Sequence, residues 1–257
     1  IILCNIISTL LPFERNAVEY TFEANPGDLS LKKLHILKEA GVNRISFGVQ
    51  SFNDELLKTI GRTHQPKDVF DSIDKARKAG FENISIDLMY GLPGQSKEVF
   101  LQSLQEAFKL DLPHYSSYSL IVEPKTVFYN MMQKNKLHLP TQDVEAEMYE
   151  LLMDEMEKHG LLQYEISNFA KKGFDSKHNT TYWNNDYYYG FGAGAHSYIN
   201  GERIGNYGTL KKYMEENVEI VLNSPLLEGD KIEVVDGKLC HYHKMGKVVL
   251  DGSEDWR

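Results

Sequence analysis

Repetition of one unit, strand then turn then helix, constrains this chain more than any other property of its sequence. Residues 18–23 (VEYTFE) alternate like a strand and are broken at Asn25-Pro26-Gly27, after which LSLKKLHILKEA takes helical spacing, offers Asp28 or Ser30 as N-cap and closes on Gly41. Residues 43–50 (NRISFGVQ) form a second strand that leads through Ser51-Phe52-Asn53 into the helix DELLKTIGR. Past His64 and Pro66 a further helix, KDVFDSIDKARKA, ends on Gly80. Then NISIDLMY reads as a buried strand, stopped by Gly91-Leu92-Pro93-Gly94-Gln95 and followed by a helix over 97–110 with Ser96 as its cap. A fourth strand over 115–122 stops at Glu123-Pro124. Short connections and strands bounded by Gly or Pro predict a repeated βα architecture, either a barrel or a doubly wound sheet.

Several of these strands carry a polar residue near the carboxyl end: Glu23, Gln50, Asp87 and Ser119. That is where a βα barrel places its site. A carboxylate such as Asp87 inside an apolar run is costly unless it is paired or lines a pocket. Taken singly, each of these residues is better explained by caps and loop hydrogen bonds. Taken together with Arg62, they can line one polar pocket, with carboxylates suited to ribose hydroxyls or an amino group and Gln to a carboxylate or amide. No turn carries G-x-G-x-x-G, which weakens a dinucleotide reading. The net charge of −9, from 28 Lys+Arg against 37 Asp+Glu, argues against nucleic acid as a partner.

From Thr141 the pattern changes. DVEAEMYELLMDEMEKHG is an amphipathic helix capped by Thr141 and closed by Gly160, and QYEISNFA is expected as one strand. KHNTTYWNND, residues 177–186, reads as a polar and aromatic loop, and 187–201 as a strand whose alternating glycines admit close approach of a backbone or a flat ligand. His178, beside Asn179, Tyr182 and Trp183 and near Gly192, Gly194 and His196, can ligate haem iron or stack on a flat ring; a packed loop with a hydrogen-bonded histidine explains it equally well. A helix TLKKYMEEN follows. Beyond it, KIEVVDGKLCHYH and KVVLDGS read as hairpins about DG turns. His241 and His243 share a strand face there but lack further ligands for a metal. Two cysteines, Cys4 and Cys240, cannot supply the three thiolates that a [4Fe–4S] cluster needs. They also cannot make a disulfide framework, so a cytoplasmic location is expected. No apolar run reaches membrane-spanning length. Residues 1–16 read as an amphipathic helix entered in mid-turn, as in a chain missing its beginning.

The ordered set EANPGDLS, GVNRISFGVQSFND, GRTH, NISIDLMYGLPGQ, YSLIVEPKT, YEISNFA and HNTTYWNNDYYYGFGAGAHSY closely resembles the HemW-type haem chaperones of the radical S-adenosylmethionine superfamily, relatives of oxygen-independent coproporphyrinogen III oxidase. The resemblance runs from about residue 10 to about 217. It implies an α/β fold, a partial TIM-type (β/α) barrel lacking its first two strands, over residues 1–140, with an α+β accessory region over 141–217. It also implies that the cluster's C-x-x-x-C-x-x-C and the glycine-rich GGGTP belong upstream, so no radical chemistry is expected of the chain as it stands. Carried over residue by residue, it places Glu23, Gln50, Arg62, Asp87, Ser119, Ala195 and His196 at an S-adenosylmethionine site. His178, Asn179, Tyr182 and Trp183 fall in an HNxxYW motif for haem, with His178 on the iron. The partners implied are haem and haem-accepting proteins; oligomeric state is left open. HNxxYW favours the chaperone over the oxidase. Residues 218–257 are unassigned and resemble a phage tail structural protein, which would make them foreign to what precedes.

Overall fold

The computed structural model describes residues 19–216 and three strands of the tail. The helix expected over residues 1–16 lies outside the described residues. Two compact units divide between Thr180 and Thr181, so the change of pattern at Thr141 falls inside the first of them.

The first unit follows the repeat read from the sequence. Its elements are β1 (Thr21–Ala24), α1 (Leu31–Glu39), β2 (Arg44–Gln50), α2 (Asp54–Thr59), α3 (Pro66–Lys78), β3 (Asn83–Tyr90), α4 (Lys97–Phe108) and β4 (His114–Ser119). Then come α5 (Val127–Gln133), α6 (Gln142–Lys158), β5 (Leu162–Glu165), β6 (Asn168–Ala170) and α7 (Lys177–Trp183). The strands make one six-stranded sheet in the order β1-β2-β3-β4-β6-β5. Pairings from β1 to β4 are parallel, and those of β4 with β6 and β6 with β5 are antiparallel. Helix starts are set where the sequence offered caps. Ser30 Oγ accepts from Lys33 N, Ser96 Oγ from Val99 N and Thr141 Oγ1 from Val144 N. At α3, Gln65 and Asp68 form a capping box with Pro66 in the first turn.

Register explains what the two faces of the sheet do. Ile45, Phe47 and Val49 of β2 join Ile84, Ile86 and Leu88 of β3, Tyr115 of β4 and Phe169 of β6 in one buried cluster. Leu34 and Leu37 of α1, Val69, Ile73 and Ala76 of α3, Phe100 and Leu104 of α4, and Met148, Leu152 and Met156 of α6 complete it. Each such side chain taken fully out of water is worth about 1.5–3 kcal/mol. Period-two alternation sends the residues between them to the opposite face. There Arg44 is level with Asn83, Glu23 with Ser46, Ser46 with Ser85, and Ser85 with His114. One step further, Gly48 is level with Asp87, Asp87 with Ser116, and Ser116 with Asn168.

Several expectations are corrected. QYEISNFA is two strands, because the chain reverses at Ile166-Ser167 and β5 returns antiparallel along β6. The fourth strand ends at Ser119, short of residue 122, and α5 after it was not foreseen. KHNTTYW is the helix α7, and the loop expected there begins only after Trp183.

In the second unit, β7 (His196–Ile199) and β8 (Glu202–Gly205) form a hairpin, followed by α8 (Leu210–Glu216). Only its last part bears out the strand expected over 187–201; Tyr188 makes an isolated bridge to Tyr198. Of the glycines, Gly190 does admit a backbone. A Cβ there would lie 2.1 Å from the His196 carbonyl oxygen. Gly192 instead has φ of 103° and serves the turn. In the tail, β9 (Lys231–Val235), β10 (Lys238–His243) and β11 (Gly246–Val249) pair antiparallel, as expected from the Asp-Gly dipeptide that separates the first two in sequence.

Candidate functional site

The carboxyl end of the polar face gathers four of the residues singled out from sequence. Gly48 is the centre. A Cβ at this position would come 3.2 Å from Gln50 Nε2, 3.6 Å from Asn25 Oδ1 and 3.7 Å from an Arg62 guanidinium nitrogen. Gln50 reaches back here because the β2–β3 register slips between Gly48 and Gln50 and its own φ is 68°. A bulge that re-aims a side chain, held by a residue in the left-handed region, is a local cost tolerated where a site requires it. Arg62 Nη1 donates to Asn25 Oδ1 at 2.6 Å, and Asn25 Nδ2 donates to Asp28 Oδ2 at 3.0 Å. Asn25 was read from sequence only as part of a strand break, and Asp28 as a cap; the structure gives both to this cluster.

Asp87 lies level with Gly48. Burial pushes its carboxyl above the usual range, against hydrogen bonds from Ser116 and Ser46; the nearby Glu23 charge raises it further and Arg44 lowers it. Ser46 Oγ donates to Asp87 Oδ1 at 3.2 Å. Glu23 itself is exposed, one register step away beside Ser46. Glu23, Gln50, Arg62 and Asp87 therefore share one end of one face. Ser119 does not join them. It is level with Tyr90 on the helix-packed side, and its hydroxyl donates to the Glu145 carboxylate of α6. Ala195 and His196 belong to the second unit, where the His196 ring packs against Gly205 at the start of the hairpin.

Deeper on the polar face lies a network that the sequence reading passed over. His114 is fully buried. Its Nδ1 is 2.7 Å from Ser85 Oγ and 3.3 Å from an Arg44 guanidinium nitrogen, and its Nε2 is 2.7 Å from the Tyr164 hydroxyl. Burial, and secondarily the Arg44 charge, pulls the imidazole down to about 3, so it is neutral. Arg44 is 5% exposed and its Nε has no partner among the described residues. Part of the signal was available in RISFGVQ, where Arg44, Ser46 and Gln50 fall on one face; HYSSYS, with Ser116 and Ser117 adjacent, shows no such alternation. His64, also buried, bonds the Val49 carbonyl through Nε2 at 3.0 Å; burial lowers its pKa, opposed by that bond.

His178 and Asn179 open the short helix α7, and Tyr182 and Trp183 close it. His178 is exposed, and so are Tyr182 at 43% and Trp183 at 56%. Tyr182 meets Tyr188 edge-on with ring centroids 4.4 Å apart. Tyr187 and Phe191 are exposed in the same unit. Among the described residues no group of three or more His, Cys, Asp or Glu could hold a metal ion, and no helix is long and apolar enough to cross a membrane.

Residues 2–107 match the model of the radical SAM superfamily. Over 213 residues the chain is 61% identical to the heme chaperone HemW of Bacillus subtilis (strain 168), covering 83% of this chain and 56% of that protein. It is 51% identical to the heme chaperone HemW of Lactococcus lactis over 197 residues, 77% of this chain and 52% of the relative. The chain thus spans about half the length of the curated relatives it matches. Among solved structures, coproporphyrinogen III oxidase (HemN) from Escherichia coli, described as a radical SAM enzyme, superposes with a TM-score of 0.70 at 24% identity. It covers 84% of this chain and 52% of the other, a likeness of fold.

Proposed function

From a chain that belongs to the radical SAM superfamily, on its HemW-type branch, we propose a portion of a protein that binds haem and hands it to haem proteins, with S-adenosylmethionine held on the polar face of the sheet. The observation that carries the haem reading is α7. One helical turn separates His178 from Tyr182, so the two fall on one side of the helix, with Trp183 next to them. An imidazole with exposed aromatic rings suits a flat, apolar, iron-bearing macrocycle.

The residues of the polar face fit S-adenosylmethionine. The absence of a side chain at Gly48 lets Gln50, Arg62 and Asn25 converge on the backbone there, while Glu23 and Asp87 supply carboxylates for hydroxyl and amino groups. Bound beside a [4Fe–4S] cluster, this cofactor is a source of radical chemistry in the superfamily. The cluster itself does not fit the residues described: Cys4 and Cys240 are the chain's cysteines, and residues 19–216 contain none. No step is derived through it. Haem-accepting proteins are the partners this reading implies, in the cytoplasm.

The test is a titration of the chain with haemin, followed at the Soret band, for wild type, His178→Ala and Trp183→Ala. Loss of the band shift and a rise of about tenfold or more in Kd for His178→Ala are expected for a lost iron ligand. Equal affinity in all three proteins overturns the assignment.

A further inference from the structure

The helix that carries the HNxxYW motif cannot hold itself in place. Seven residues are too few for a stable isolated helix. The unsatisfied N–H groups of its first turn also need partners. Ser176 serves as the local cap, accepting from Asn179 N at 3.3 Å. The other partners come from far away in sequence. The Glu19 carboxylate, in the chain leading into β1, accepts from Lys177 N at 3.1 Å, His178 N at 3.3 Å and Ser176 Oγ at 3.1 Å. The Tyr164 hydroxyl on β5 accepts from Ser176 N at 3.2 Å and from Asn179 Nδ2 at 3.4 Å. Tyr164 is in turn bonded to His114 in the sheet.

We infer that Glu19 and Tyr164 are positioning residues for His178 and Asn179, fixing the start of the motif helix to both ends of the sheet, at β1 and at β5. This rests on the reading of α7 as the haem-binding element. The negative carboxylate is placed where a helix N-terminus favours it, and it holds the backbone of the proposed ligand residue itself. Tyr164 holds the side chain next to it. Sequence gives no hint of the pairing, because Glu19 and His178 lie 159 residues apart.

The experiment uses the full chain and two readouts: amide hydrogen exchange of residues 177–179 without haem, and haemin titration at the Soret band. The variants are Glu19→Ala, Glu19→Gln, His178→Ala and Ser30→Ala, the last removing a cap of similar worth on α1, remote from the motif. Glu19→Ala is expected to speed exchange at Lys177 and His178, to weaken haemin binding about fivefold and to broaden the Soret band. Glu19→Gln keeps an acceptor oxygen and falls between Glu19→Ala and wild type, and Ser30→Ala changes neither readout. Unchanged exchange in Glu19→Ala overturns the inference whatever haemin does. Faster exchange with wild-type haemin binding, while His178→Ala is weakened, overturns the positioning role alone. Wild-type binding by His178→Ala overturns the haem reading, and the role of Glu19 in it falls too.

Discussion

A buried neutral histidine makes this fold sensitive to acid in a way that can be calculated. His114 carries an ordinary value of 6.5 when unfolded and about 3 when folded, because burial and the Arg44 guanidinium disfavour the imidazolium. Between those values the unfolded chain binds a proton that the folded chain refuses. Stability therefore rises with pH through this window, is fully present above pH 6.5, and is lost as pH falls from there toward 3. At pH 5.5 the unfolded imidazole is about nine-tenths protonated, and integration from pH 7 gives a loss of about 1.3 kcal/mol from this one residue. At pH 5 the loss reaches about 1.9 kcal/mol. Chemical denaturation of wild type and His114→Gln at pH 7, 5.5 and 5 isolates the effect, since every other titrating group is common to both. Asp87, whose raised carboxyl works with the opposite sign, cancels in the comparison. The variant is expected to be less stable at pH 7, having lost bonds to Ser85 and Tyr164, yet to lose about 1.3 kcal/mol less on going to pH 5.5. Parallel pH slopes for the two proteins would refute the reasoning.

Two further outcomes concern the polar face. Asp87→Asn removes a charge that burial disfavours while keeping the shape, so the denaturation midpoint at pH 7 is expected to hold or rise. S-adenosylmethionine binding, measured by equilibrium dialysis, is expected to fall by about tenfold, the loss of one charge-assisted hydrogen bond; retained affinity would remove Asp87 from the site. Gly48→Ala places a methyl 3.2 Å from Gln50 Nε2 and displaces that side chain from the cluster. Weaker S-adenosylmethionine binding in the same dialysis assay, with a small change in denaturation midpoint, is expected; a variant that binds as wild type would show that the placement of Gln50 is not used.

What could be read in the sequence was whatever local pattern determines. Ser30, Ser96 and Thr141 announce their helices because a hydroxyl just before an amphipathic run has one favourable use, and all three cap as expected. The four parallel strands were legible for the same reason. What escaped depends on partners distant in the chain. Whether YEISNFA is one strand or two is decided by the pairing of β6 with β4, which no seven-residue pattern reveals. α7 looks like a loop because the first N–H groups of its turn, those of Lys177 and His178, are satisfied by the distant Glu19. Glu23, Gln50 and Asp87 stood out at strand ends and were joined with Arg62, resemblance adding only their ligand, and the geometry groups all four; Ser119 looked equivalent because it too ends a strand, but it falls on the opposite face. Asn25 went unnoticed because a residue next to Pro26 already had an explanation as a break.

The polar face also bears on where a ligand could enter. In a flat sheet with helices on one side, the residues of the other side would be wet. Here Arg44, Ser46, Ser85, His114, Ser116 and Asn168 are all buried although the helices pack on the opposite face. Something other than those helices therefore keeps water from this face; among the described residues Tyr164 lies against it, bonded to His114. Burial along β2 is not uniform. Arg44 and Ser46 are buried, Gly48 and Gln50 are partly open, and Arg62 beyond them is half-buried. β1 shows the same trend, with Glu23 exposed near its end. Accessibility thus increases toward the carboxyl ends of the strands, where parallel βα architectures hold their ligands. Toward the amino ends His114 bonds Tyr164, and the buried Arg44 Nε has no partner among the described residues. Among the described residues the more open approach to Asp87 follows this gradient, past Glu23, Gln50 and Arg62. Substitutions there should alter binding before they alter folding, and substitutions at Arg44, Ser85 or His114 should do the reverse.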